Sequence, residues 1–135
     1  MTLPIDDNIF HKGFCRGEYE ITVEQGPRIR LPREIVKVLI DHKIRIMLVY
    51  RDPTGTGLIL CPNKFQGAYE KIAKANFPAS LEFQEAYRKF ICSVKEWPVK
   101  KHGKITVGKE YVPIAQGQRL TILGAGCWYE LSRKD

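Results

Sequence analysis

Apolar positions along the chain fall into short alternating runs cut by glycine and proline, separated by longer stretches at helical spacing. Arg16 to Val23 puts Tyr19, Ile21 and Val23 on one face, which predicts a strand. Gln25-Gly26-Pro27 breaks it, and Arg28 to Leu31 alternates again with Ile29 and Leu31 pointing one way. Pro32 then suits the first position of a helix, and Ile35, Val36, Leu39 and Ile40 continue it to Ile40. Lys43 to Tyr50 and Gly57 to Cys61 read as strands joined by the hairpin loop R-D-P-T-G-T. Thr54 to Gly57 lacks the Lys-Ser/Thr and following helix of a phosphate loop.

Pro62 to Ala75 has Phe65, Ala68, Tyr69, Ile72 and Ala73 at helical spacing. Beyond a break at Ala75 to Ala79, Ser80 suits the N-cap of a helix running to Cys92, with Phe83, Tyr87, Phe90 and Ile91 on one side. These aromatics read as core. Strands follow at Ser93 to Val99 and Lys104 to Val107, around a turn at His102-Gly103. A short helix from Gly108 is ended by Pro113, and Gln118 to Leu123 with Trp128 to Leu131 form a last hairpin.

The pattern is duplicated. Val23, Arg28, Ile29, Leu31, Arg33, Glu34 and Val36 meet Val99, Lys104, Ile105, Val107, Lys109, Glu110 and Val112 at a constant offset of 76 (Ile29 against Ile105), without gaps. Each copy is a turn, a strand and a helix, with a cation just after the turn. Two equivalent units imply two halves sharing one core.

Composition narrows the class. A chain of 135 residues, 44% apolar and 27% charged, is that of a globular protein. No apolar run reaches transmembrane length, and the N-terminus lacks the basic region and long apolar run of a signal peptide, so a cytoplasmic location is expected. The net charge of +7 favours an anionic partner. Cys15, Cys61, Cys92 and Cys127 are far apart and form no C-x-x-C pair, which predicts free thiols rather than a zinc site or disulfide scaffold. His11, His42 and His102 are scattered in polar contexts, and the carboxylates show no pairing suited to acid–base work. No catalytic constellation, cofactor or metal is therefore expected, and the chain does not read as an enzyme.

The cations are better organised. Arg28 and Arg30 project opposite Ile29 and Leu31, while Lys100, Lys101, His102 and Lys104 surround the second turn. Short β elements bearing arginine and lysine can enter the DNA major groove, where those side chains donate to guanine and to phosphates. The alternative is a solvated face of two amphipathic strands. Duplication supports DNA, because two equivalent turns on one scaffold present two reading heads.

At these residues the chain resembles the MraZ family of bacterial transcriptional regulators, built from two SpoVT-AbrB swapped-hairpin motifs. Cys15-Arg16-Gly17-Glu18-Tyr19 stands where the family opens with F-R-G-E-Y, and Glu24 to Pro32 stands for its D-x-K-G-R-hydrophobic-x-hydrophobic-P. Lys100 to Gly108 is the second copy, and Ile122 to Gly126 matches its L-V-G-hydrophobic-G. The resemblance covers Cys15 to Leu131. It implies an α+β fold of two pseudo-symmetric swapped-hairpin halves, residues 15–75 and 76–135, forming a small β-barrel-like core with flanking helices. Residues 1–14 are expected to form an N-terminal arm.

The resemblance further implies a homo-oligomeric ring, an octamer or dodecamer. Its partner would be double-stranded promoter DNA, at repeats upstream of the division and cell wall gene cluster, bound in the nucleoid as a repressor. The contact residues it implies are Arg28 and, in the second copy, Lys104, with Glu24 at the acidic position able to hold Arg28. Arg30, Lys100 and Lys101 complete the expected interface. Four departures in the loops bear on this reading: Q-G-P replaces x-K-G in the first loop, and in the second Lys100 replaces the acid, Lys104 replaces the arginine and Gly108 replaces the proline. A structural or protein-binding oligomer on the same scaffold is the alternative.

Overall fold

The computed structural model describes residues 14–26, 28–51, 57–75, 80–106 and 117–134. In chain order the elements are β1 (Glu18–Thr22), β2 (Arg28–Arg30), α1 (Arg33–Asp41), β3 (Ile46–Arg51), β4 (Gly57–Pro62), a 3-10 turn (Asn63–Phe65), α2 (Gln66–Ala75), α3 (Leu81–Cys92), β5 (Lys95–Pro98), β6 (Lys104–Thr106), β7 (Arg119–Gly124) and β8 (Tyr129–Arg133). The expected arm, the hairpin loop at Arg51 to Thr56 beyond its first residue, the Ala75 to Ala79 break beyond Ala75, and the short helix from Gly108 lie outside the described residues, as does Pro27.

Six strands form one antiparallel sheet in the order β1-β7-β8-β4-β3-β5, and β2 pairs with β6 in a separate two-stranded ribbon. The order is symmetric about its centre. The 76-residue offset carries β1 onto β5 and β2 onto β6, and the hairpin β3-β4 occupies the place that β7-β8 holds in the other half. Thus β1 of the first half lies against β7 of the second, β5 of the second lies against β3 of the first, and β4 meets β8 at the middle. The ribbon obeys the same symmetry. Ile29 faces Ile105, and Arg28↔Thr106 and Arg30↔Lys104 exchange under the offset.

The α+β class holds, but the core is not the barrel-like closure expected: among the described residues the sheet is open, with β1 and β5 at opposite edges. Layers on both faces remove the need for closure. On one face Val49, Leu58, Leu60, Ile122, Tyr129 and Leu131 pack against Ile29 and Ile105 of the ribbon and Ile35, Val36 and Leu39 of α1. On the other, Leu48, Tyr50, Ile59 and Cys61 pack against Phe65 of the 3-10 turn, Tyr69 and Ala73 of α2, and Phe90 of α3. A strand covered on both sides is apolar at every position, and all of β4 is buried.

Of the aromatics expected in the core, Phe65, Tyr69 and Phe90 are buried and Tyr87 is half-buried against them, whereas Phe83 is exposed on α3. Tyr50 stacks on Phe90 at 5.3 Å between ring centroids, and the Tyr50 hydroxyl donates to Glu70 Oε2 at 2.6 Å. Ser80 caps α3 by accepting from the Phe83 amide at 3.4 Å.

Several boundaries differ from the sequence pattern, among them β1 starting at Glu18, α2 at Gln66 and β5 at Lys95, and two others differ for clear local reasons. Pro32 is the N-cap of α1 rather than its first helical residue: its ψ of 148° is extended, and its carbonyl accepts from the Ile35 and Val36 amides. β3 begins at Ile46 rather than Lys43, because α1 ends in a Schellman turn. Lys43 adopts φ 58°, its amide bonds to the Ile40 carbonyl, and the Ile44 amide bonds to that of Leu39.

Where the halves join, Gly57 faces Ser132 so closely that a Cβ would stand 2.1 Å from the Leu131 carbonyl oxygen. Backbone cannot yield there without parting β4 from β8. Gly57→Ala is therefore expected to destabilise the fold by about 3 kcal/mol and to lower the melting temperature by roughly 6–12 °C. Thermal denaturation followed by circular dichroism checks this, and an unchanged midpoint would refute the close approach.

Candidate nucleic-acid interface

The ribbon gathers the expected site residues from both ends of the sequence. Residues directly opposite in an antiparallel pair share a face, so Arg28, Arg30, Lys104 and Thr106 form one face and Ile29 with Ile105 the other. Ile29 is fully buried and Ile105 nearly so, which fixes the outward direction of the polar face. Arg28, Arg30 and Thr106 are exposed and Lys104 is half-buried. A change of register by one residue would bury the cations, so the apolar pair pins the register.

The turns before β2 and β6 differ. In the first, Glu24 and Arg28 exchange backbone hydrogen bonds, Glu24 N–H to Arg28 at 2.7 Å and Arg28 N–H to Glu24 at 3.1 Å, and Gly26 adopts φ 94°. The side-chain pairing is not the expected one. Arg30 Nε donates to Glu24 Oε2 at 3.2 Å, whereas Arg28 Nε donates to the Gln25 carbonyl at 3.2 Å. The backbone bridge sets Glu24 opposite Arg28 on the closing rung, so the carboxylate reaches the next same-face cation along β2. Arg28 is held instead by its own turn.

In the second turn the Gly103 amide bonds to the Lys100 carbonyl at 2.8 Å, and Gly103 takes φ 68°. The His102 ring accepts at Nδ1 from the Lys104 amide at 3.0 Å, which leaves the proton on Nε2. The Gly103 carbonyl accepts from Leu31 N–H at 2.9 Å and so extends the ribbon by one rung. Lys100 and Lys101 are exposed on this turn, at one end of the ribbon.

Beside that end runs an open groove of about 590 Å³. Arg30, Lys101 and His102 line it from the ribbon side, and Arg33, Lys37 and Asp41 line it from α1. Its floor includes Leu31 and Val36. Arg33 and Lys37 were not among the residues the sequence singled out. Their spacing of four places them on one helix face, but nothing local brings the turn at residues 100–103 alongside them.

Three of the four thiols belong to the core. Cys15, Cys61 and Cys127 are buried and Cys92 is exposed, all as free thiols. Burial pushes the Cys15 and Cys61 thiols well above the ordinary range and Cys127 up to about 11, so all three stay protonated. Among the described residues, no group of three or more His, Cys, Asp or Glu side chains could hold a metal ion, and no helix is long and apolar enough to cross a membrane.

Fold and site thus define an α+β protein whose two interleaved halves present a cationic two-stranded ribbon. No family model matches the chain. It is similar to the transcriptional regulator MraZ of Cytophaga hutchinsonii, 27% identical over 128 residues, which cover 91% of this chain and 82% of that protein. The resemblance to MraZ regulators is thereby supported, as a distant similarity, across nearly the whole chain.

Proposed function

We propose that this protein is a sequence-specific DNA-binding transcriptional regulator, a repressor acting on repeats upstream of the division and cell wall gene cluster. The observation that carries the reading is the ribbon. Its outer face offers Arg28, Arg30 and Lys104 together, and a two-stranded ribbon fits the major groove. Arg28 reads bases with its guanidinium fork, Arg30 is set by Glu24, and Lys104 with Lys100 and Lys101 binds phosphates. Lysine lacks the planar fork that matches guanine, which is why the second turn holds more than it reads.

The finer architecture proposed is the swapped hairpin, residues 15–75 and 76–135 each lending a first strand to the other's hairpin, with an arm at 1–14. Copies of the chain assemble into a ring, so that several weak ribbons act on successive repeats at high effective concentration. Its place is the cytoplasm, on the nucleoid.

Lys104→Ala tests the division of labour between the turns. Affinity is expected to fall by a similar factor for the repeat-bearing duplex and a scrambled one, and the slope of log affinity against log salt to flatten by about 0.9. A loss confined to the repeats would instead make Lys104 a base reader. A second reading rests on Leu81 and Phe83, which are 81% and 44% exposed on α3. Such a face suits a protein-binding oligomer without DNA, and binding of the wild-type protein to upstream repeats but not to scrambled DNA rejects it.

A further inference from the structure

Resting on the DNA-binding reading, we propose that the groove between α1 and the turn at residues 100–103 seats backbone phosphates of the same duplex that the ribbon reads. Four cations, Arg30, Arg33, Lys37 and Lys101, border it with one lining carboxylate, Asp41, and Arg30 is paired with Glu24, which leaves Arg33, Lys37 and Lys101 in excess. Cations drawn from three separate elements onto one opening repel each other, and an anion relieves that repulsion. His102 adds a directional donor, since its Nδ1 accepts from the Lys104 amide and its Nε2 carries the proton. Arg33 and Lys37 lie one helical turn apart and are exposed.

The occupant follows from continuity. Arg30 belongs both to the ribbon face and to the groove wall, so a duplex laid on the ribbon brings its flanking strand to the groove mouth. Phosphate oxygens suit this donor set, while the wide opening and the apolar floor at Leu31 and Val36 offer no base-edge partners. The groove therefore contributes affinity without sequence preference.

The full-length double variant Arg33→Ala/Lys37→Ala tests this by fluorescence anisotropy on the upstream repeat duplex and its scrambled counterpart across a salt series. Both affinities are expected to fall by about 10- to 30-fold at physiological salt, with a slope flatter by about 1.8 and an unchanged ratio between the duplexes. Arg33→Glu/Lys37→Glu should weaken both further. Unchanged affinity and slope in the alanine pair overturn the proposal. So does a loss of inorganic phosphate binding by calorimetry with DNA binding intact, which assigns the groove to a small anion. A wild-type protein that binds both duplexes equally sinks the sequence-specific reading instead, and the groove is then judged by the slope on scrambled DNA. Absence of any DNA binding by the wild type overturns both.

Discussion

Arg28→Ala is expected to remove about 1–3 kcal/mol of discrimination for each ribbon bound, a loss of roughly 10- to 100-fold in preference for the repeats over scrambled DNA. Arg28 stands on the exposed face, and its only described side-chain hydrogen bond runs to the Gln25 carbonyl of its own turn. Nothing in the core depends on it. The melting temperature should therefore stay where it is, because surface changes away from packed features alter stability by about 0.5 kcal/mol or less. Mobility shift and thermal melting on the same sample separate the two effects. Preserved preference for the repeats would remove Arg28 from the reading head.

Ile29→Ala is expected to act in the opposite way, through the fold. Ile29 is fully buried, faces Ile105 across the ribbon, and packs into the cluster shared by α1 and the sheet. Truncation leaves a cavity where relaxation would have to draw the whole ribbon inward, at a cost of about 2–5 kcal/mol. The ribbon is only three residues on each strand, so its cations lose their common face along with that pair. Chemical denaturation should show the loss as a lowered midpoint with an unchanged slope, and DNA binding should weaken for repeats and scrambled duplex alike. A stable Ile29→Ala protein with intact binding would mean that the apolar pair does not organise the ribbon.

The opposite burial of the neighbouring positions 28 and 29 was legible in the sequence: alternation marked Ile29 as inward and Arg28 with Arg30 as outward. The offset did not by itself reveal that Ile29 and Ile105 meet, because it also maps β1 onto β5, which lie at opposite edges of the sheet. Pro32, Glu24 and the groove were less legible, each for a physical reason. Proline favours the first helical residue, and at the N-cap it offers no side-chain cap, but its missing amide costs nothing at either position, so the sequence does not separate the two. The destination of the Glu24 carboxylate depends on the backbone bridge to Arg28, which sends it toward Arg30. The groove unites α1 with a turn some sixty residues away, a proximity set by the pairing of β2 with β6 and invisible to any local pattern. The open sheet was hidden for a similar reason: closure depends on whether other layers cover both faces.

The unequal turns also give the account a sharper form. The first closes with a two-way backbone bridge and carries an arginine held at Nε; the second is a lysine-rich turn closed by the Gly103–Lys100 bond and capped by the His102 ring. The two strands pair in one register while their turns differ in chemistry.

The central claim, that the ribbon makes this chain a sequence-specific regulator, is tested most directly by an anisotropy titration of the wild-type protein. The probes are the duplex upstream of its own gene and a scrambled duplex of equal composition, at physiological salt. The account predicts tighter binding to the upstream duplex by at least about 1000-fold, with a steep fall as salt rises. Equal affinity for the two duplexes would contradict it.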